Sequence, residues 1–119
     1  MAKDLRFAPL IELYGGVLTE KQREVIELYY FEDLSLAEIA EHSGISRQGV
    51  RDAIKRGEAI IGELENQLGF LKKQNEAARA FDAVRAEAKE IILLNDKLNY
   101  SDRIEAAANR IVGIVDGME

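Results

Sequence analysis

The stretch "SLAEIAEHSGISRQGVRDAIKR", Ser35–Arg56, decides how this 119-residue chain is read. Ser35 followed three residues later by Glu38 is a capping box, the signature of a helix start. Leu36, Ile39 and Ala40 then form an apolar stripe, and "HSG" ends it, with Gly44 free to take the left-handed backbone that a tight turn needs. Ser46 caps a second helix. Two short helices joined by a three- to four-residue turn make a helix-turn-helix. That motif needs a small residue at the crossing (Ala40), a glycine in the turn (Gly44) and an apolar plug just after it (Ile45). It also needs apolar anchors on the second helix, here Val50 with Ala53 or Ile54. Every one of these positions is filled.

The first half of the stretch is acidic and the second carries Arg47, Arg51, Lys55 and Arg56. Residues 1–46 hold four Lys/Arg against nine Asp/Glu, and residues 57–119 hold eight against twelve. Only residues 47–56 are cationic, with four against Asp52, in a chain of net charge -6. Arg47, Arg51 and Lys55 recur every four residues and so share one helix stripe, flanked by Gln48 and Arg56. A helix of this kind suits the DNA major groove. Arg47 and Arg51 match guanine O6/N7, and Gln48 matches adenine N6/N7. Lys55 and Arg56 lie further along and match phosphate, as do Ser46 and the free N–H groups at the helix start. The bland reading of such a face is a solvated surface. Gly49 stands out: it weakens the helix, and either allows a close backbone approach or has no role.

The rest of the chain is helical in pattern, with about six helices and no strand, so the fold class expected is all-α. The first helix is expected from Asp4 to Tyr14, with Leu5, Leu10, Leu13 and Tyr14 turned inward and Gly15-Gly16 ending it. "TEKQ" (Thr19–Gln22) is a second capping box, followed by Val25, Ile26, Leu28, Tyr29 and Phe31 as core candidates. From Val50 the apolar positions keep a heptad rhythm through Ile54, Gly57, Ile61, Leu64, Leu68 and Leu71, with a break expected near Gly69. Two amphipathic stretches follow, one with Phe81, Val84, Ala88, Ile91 and Leu98, the other with Ile104, Ala108, Ile111, Val115 and Met118, Ser101 capping the latter. The organisation expected is a helix-turn-helix domain over residues 1–69. A C-terminal helical extension over 70–119 would pack on that domain or on a dimer partner.

Other chemistry finds little support. The chain has no cysteine and one histidine, His42, so neither disulfides nor a zinc site is expected. The carboxylates Glu24, Glu27, Glu32 and Asp33 have no nucleophile or histidine arranged beside them for catalysis. "YGGVLTEKQ" lacks the spacing of a phosphate-binding loop. "LYYF", Leu28–Phe31, reads as core rather than a base-stacking platform. No cofactor, metal or catalytic residue is expected. No uncharged apolar run approaches a membrane span or a signal peptide, and the expectation is a soluble, cytoplasmic protein that is not an enzyme.

From Leu18 to Ile61 the chain resembles sigma-factor region 4, a helix-turn-helix module. Across nearly its whole length it is similar to the YlxM family of small bacterial helix-turn-helix-like proteins. The likeness rests on "LIELYGGVLTEKQ", "LYYFEDLSLAEIAE", "SRQGVRDAIKR" and "LGFLKK", in that order. It implies a DNA-binding-like fold, nucleic-acid contacts at Ser46, Arg47, Gln48, Arg51, Lys55 and Arg56, and a link to the signal recognition particle pathway. Two readings follow. One is a DNA-binding regulator acting as a homodimer. The other is a non-catalytic adaptor that sets the basic helix on signal-recognition-particle RNA or on the particle's GTPase.

Overall fold

Thr19, Ser35 and Ser46 each turn the chain from extended backbone into a helix, with ψ of 158°, 163° and 160°. In the computed structural model, which describes residues 3–119, six helices follow one another and no strand occurs among the described residues. They are α1 (Phe7–Tyr14), α2 (Glu20–Tyr30), α3 (Leu36–Ser43), α4 (Arg47–Leu68), α5 (Phe70–Lys97) and α6 (Asp102–Met118), with a short 3-10 turn, Gly15–Val17, after α1. Both capping boxes are closed. The Thr19 hydroxyl accepts the Gln22 N–H while Gln22 accepts the Thr19 N–H, and Ser35 and Glu38 do the same. At the other end of α3, Gly44 sits at φ 69°, ψ 31°, the left-handed region, and its N–H closes on Ala40. The chain divides into two units, one ending at Leu71 and the other running from Lys72 to Glu119.

In the first unit α4 is the central helix, packed by α1, α2 and α3. Val50, Ile54 and Ile61 on α4 meet Val25 and Ile26 of α2 and Ile39 of α3, all fully buried. Gly57 belongs to the same seam. A Cβ there would stand 3.0 Å from Ile26 Cδ1, so the missing side chain is what lets α2 approach this closely. Buried hydroxyls are satisfied from α4: Tyr30 donates to Glu58 at 2.6 Å, and Tyr14 donates to Glu65 at 2.6 Å. Burial pushes both tyrosines above their ordinary pKa, and the adjacent carboxylates add to the shift. Glu65 also accepts the Leu71 N–H, and the Phe70 N–H donates to the Tyr14 hydroxyl. Together these bonds secure the break at Gly69, which is left-handed at φ 62° and ends α4.

The structure corrects several burial expectations. The first helix begins at Phe7, not Asp4, and its inward phase is Phe7, Leu10, Ile11 and Tyr14. Leu5 lies outside the helix at 74% exposure, and Leu13 falls between the inward positions. Phe31 is exposed because it ends α2 rather than continuing its buried face. Leu68, at the solvent end of α4, is exposed as well.

The second unit is built from α5 and α6. Arg85 on α5 bonds Asp116 at 2.9 Å and Glu119 at 2.8 Å, fastening the end of α6. At the other end, the Asn95 side chain accepts the Ser101 N–H and donates to the Ser101 carbonyl, closing the connection before α6. The fully buried residues of this unit are Ala88, Ala108 and Val115, with the fastener Asn95 itself. Of the larger apolar residues of both amphipathic stretches, Phe81 is half-buried, and Val84, Ile91, Leu98, Ile104, Ile111 and Met118 are exposed.

Candidate nucleic-acid interface

The turn that joins α3 to α4 sets how α4 is presented. Ile45, just after Gly44, is half-buried against the core, and Ser46 caps α4 by accepting the Gly49 N–H at 3.0 Å. The N–H groups of Arg47 and Gln48 head the helix with no intrahelical acceptor, and they carry the positive end of its dipole. Lys21 of α2 reaches across to donate to the Ser43 carbonyl at 3.0 Å, tying the end of α3 to the start of α2. This cross-link joins positions 22 residues apart, beyond the reach of any spacing pattern.

All six residues expected to face nucleic acid, Ser46, Arg47, Gln48, Arg51, Lys55 and Arg56, are exposed. Arg47, Arg51, Lys55 and Arg56 form no ion pair among the described residues. Elsewhere among the described residues Arg6, Arg23 and Arg85 are paired with carboxylates, while Arg79, Arg103 and Arg110 are not. The cationic face of α4 is thus unpaired charge carried by an otherwise acidic chain.

The six do not act as one patch. Arg47, Arg51 and Lys55 share a stripe, but Arg56, five residues after Arg51, is rotated by about 140°. It lies instead beside an open groove of about 370 Å³ with Thr19, Lys21 and Gln22 at the start of α2. Gln48 is not free either, since its side-chain N–H donates to Asp52 at 3.0 Å. To pair with adenine it must let go of Asp52, a carboxylate that itself repels phosphate. Ser46 has its oxygen engaged by the cap, leaving only its hydroxyl hydrogen to offer a phosphate. Gly49 has a structural reason. A Cβ there would stand 3.2 Å from Ser46 Oγ and 3.6 Å from Ile45 Cδ1, so the glycine makes room for the cap and the plug.

Set against known proteins, residues 1–99 match the family model described as "Putative helix-turn-helix protein, YlxM / p13 like". The chain belongs to this family. Its relatives include a protein of the same family from Clostridium kluyveri, 40% identical over 111 residues and spanning 93% of each chain. One from Symbiobacterium thermophilum is 46% identical over 80 residues, 67% of this chain and 75% of that one. Another from Clostridium novyi is 34% identical over 112 residues, 94% of this chain and 97% of that one. The family match takes in the whole helix-turn-helix and its basic face. Among the described residues no group of His, Cys, Asp and Glu could hold a metal, and no helix is long and apolar enough to cross a membrane.

Proposed function

We propose that this YlxM-like protein is a non-catalytic, cytoplasmic DNA-binding regulator, acting as a homodimer that lays α4 in the major groove. The observation that supports it is the unpaired cationic stripe Arg47–Arg51–Lys55 on the second helix of a helix-turn-helix, in a chain that is otherwise acidic. That contrast steers phosphate to one face and away from the others. Arg47 and Arg51, nearest the helix start, reach base edges. Lys55 binds backbone phosphate, and Arg56 offers a second phosphate contact on another flank. One helix with so few contacts gives weak and salt-sensitive binding, so two copies are needed for a specific site.

The test compares binding of the full chain to random DNA, to DNA selected from a random pool and to signal-recognition-particle RNA, across a salt series. Wild type is expected to prefer selected DNA. Arg47→Ala/Arg51→Ala is expected to lose that preference, whereas Lys55→Ala is expected to weaken binding to every sequence and to flatten the log–log salt slope by about one. Tighter binding to the RNA than to any DNA would replace this reading with that of an adaptor on the particle. Equal and weak binding to all three would remove nucleic acid altogether.

A further inference from the structure

We propose that the α5–α6 hairpin is the surface on which two copies of this chain pair, with α5 of one copy lying against α6 of the other. The pairing rests on the homodimer reading only for the number of copies, and it holds whatever α4 binds.

A helix hairpin with an apolar face needs a further layer to cover it. Here the seam between α5 and α6 fully buries only Ala88, Asn95, Ala108 and Val115, with Phe81, Ile92 and Val112 half-buried. Meanwhile Val84, Ile91 and Leu98 on α5 recur at steps of seven, as do Ile104, Ile111 and Met118 on α6. All six are exposed. Step-of-seven rows of this kind are what paired helices bury between them. They border two open grooves of about 370 and 270 Å³, the first lined almost wholly by carbon and centred on Ile91 and Ile104, the second on Val84 and Ile111.

The charges beside these rows say what covers them. On α5, Glu87 lines the groove itself and Glu90 stands just outside it. On α6, Arg103 and Arg110, also seven apart, form the opposite shoulder around Ile104 and Ala107. None of these four has an ion pair among the described residues. One edge carries Glu87 and Glu90, with Arg79 and Lys97 towards its two ends, and the other edge is basic with no carboxylate on its stripe. Two identical hairpins placed face to face can set α5 beside α5 or α5 beside α6. The first choice puts glutamates against glutamates and arginines against arginines. The second puts Glu87 and Glu90 against Arg103 and Arg110 twice over, by symmetry. The hairpin is therefore complementary to a second copy of itself, in the four-helix arrangement that buries both rows.

The test measures the mass of the full chain in solution by light scattering and sedimentation between 1 and 100 µM, on the order of the range where modest dimers form. Wild type is expected to be a dimer. Arg103→Glu/Arg110→Glu and, separately, Glu87→Arg/Glu90→Arg are each expected to raise the dimer dissociation constant tenfold or more, more strongly at low salt. Combining all four changes swaps the two edges and is expected to restore pairing. Because the positions are exposed, far-UV circular dichroism is expected to be unchanged. As a check that lost pairing is not lost folding, an equimolar mixture of the two double variants is expected to form the mixed dimer. A monomeric wild type at 100 µM, double variants that pair as well as wild type, or a fourfold variant that does not recover would each overturn the proposal. A dimer that behaves as expected yet ignores DNA would leave the pairing standing and remove the DNA reading alone.

Discussion

The two units of this molecule are made of the same material and finished differently. In the first, Ile11, Val25, Ile26, Ile39, Val50, Ile54 and Ile61 are each under 2% exposed. In the second, the only fully buried residues are two alanines, a valine and an asparagine, while Phe81, Ile92 and Val112 are half-buried and the other isoleucines and leucines face solvent. The difference lies in how many helices surround each one. Helix α4 is packed by three others, so its apolar stripe from Val50 to Ile61 finds cover. Within their own unit α5 and α6 have only each other, and two cylinders in contact seal a narrow line. One unit is therefore held by side-chain volume. The other is held by its fasteners, Arg85 at one end and Asn95 at the other. A helix-turn-helix must present α4 at one angle, which the packed unit does. An unsealed hairpin suits a surface meant to be covered later.

The largest test of that contrast is truncation in each unit. Ile54→Ala is expected to cost about 2–5 kcal/mol, from lost transfer energy plus an unfilled cavity. Val115→Ala is expected to cost roughly 1–2 kcal/mol, since its surroundings can relax. Urea unfolding separates them when followed by near-UV dichroism, because Tyr14, Tyr29 and Tyr30 report on the first unit and Tyr100 on the second. Equal costs would erase the distinction between a packed and an unpacked unit.

A glycine pair sharpens the same point at smaller scale. Gly57→Ala gains helix propensity of about 1 kcal/mol but drives a methyl to within 3.0 Å of Ile26 Cδ1. Overpacking of that kind typically costs about 1–3 kcal/mol, and net destabilisation is expected. Gly113→Ala on α6 meets nothing within 4 Å and should stabilise by up to about 1 kcal/mol. Thermal melting of both variants, followed at 222 nm, checks the opposite signs. A stabilising Gly57→Ala would mean that α2 and α4 are less closely fitted than the geometry indicates.

What the sequence made legible follows the same division. The capped helix starts at Thr19, Ser35 and Ser46, the Gly44 turn and the Gly69 break are local events, written in residues three or four apart, and each is present. The exposure of Ser46, Arg47, Gln48, Arg51, Lys55 and Arg56 also follows from period alone. The bond from Gln48 to Asp52 was within reach of the same reasoning, because it spans one helical turn. Leu5 and Leu13 misled because leucines are easy to count, whereas the phase of α1 is set by Phe7, Ile11 and Tyr14 meeting α4, a tertiary fact. Lys21 on the Ser43 carbonyl, and Arg56 facing the start of α2, are likewise contacts between elements, and no spacing rule reaches them. In α5 and α6 the stripes were visible, yet stripes announce that something will be covered, not by what.

The smallest effect separates two elements inside the first unit that look alike, the capping boxes of α2 and α3. Gln22 closes one by accepting the Thr19 N–H at 3.1 Å, and Glu38 closes the other by accepting the Ser35 N–H at 3.1 Å. An amide does not titrate, but a carboxylate does. The bonds from Ser35 hold the Glu38 carboxyl below its ordinary range. Its pKa is lower folded than unfolded, so its contribution is present above the unfolded value of about 4.3 and is lost as pH falls through the folded value. Acid therefore loosens the start of α3, the first helix of the helix-turn-helix, while leaving the start of α2 unchanged. Glu38→Gln gives α3 the same amide closure as α2. The variant gives up the charged bond, so it is expected to be slightly less stable than wild type at pH 7 and to lose less of its urea midpoint as pH falls below about 4. If both lose the same amount, the acid sensitivity of the first unit belongs to other carboxylates, of which Asp4 and Asp33, both lowered by their cationic partners, are the first to mutate.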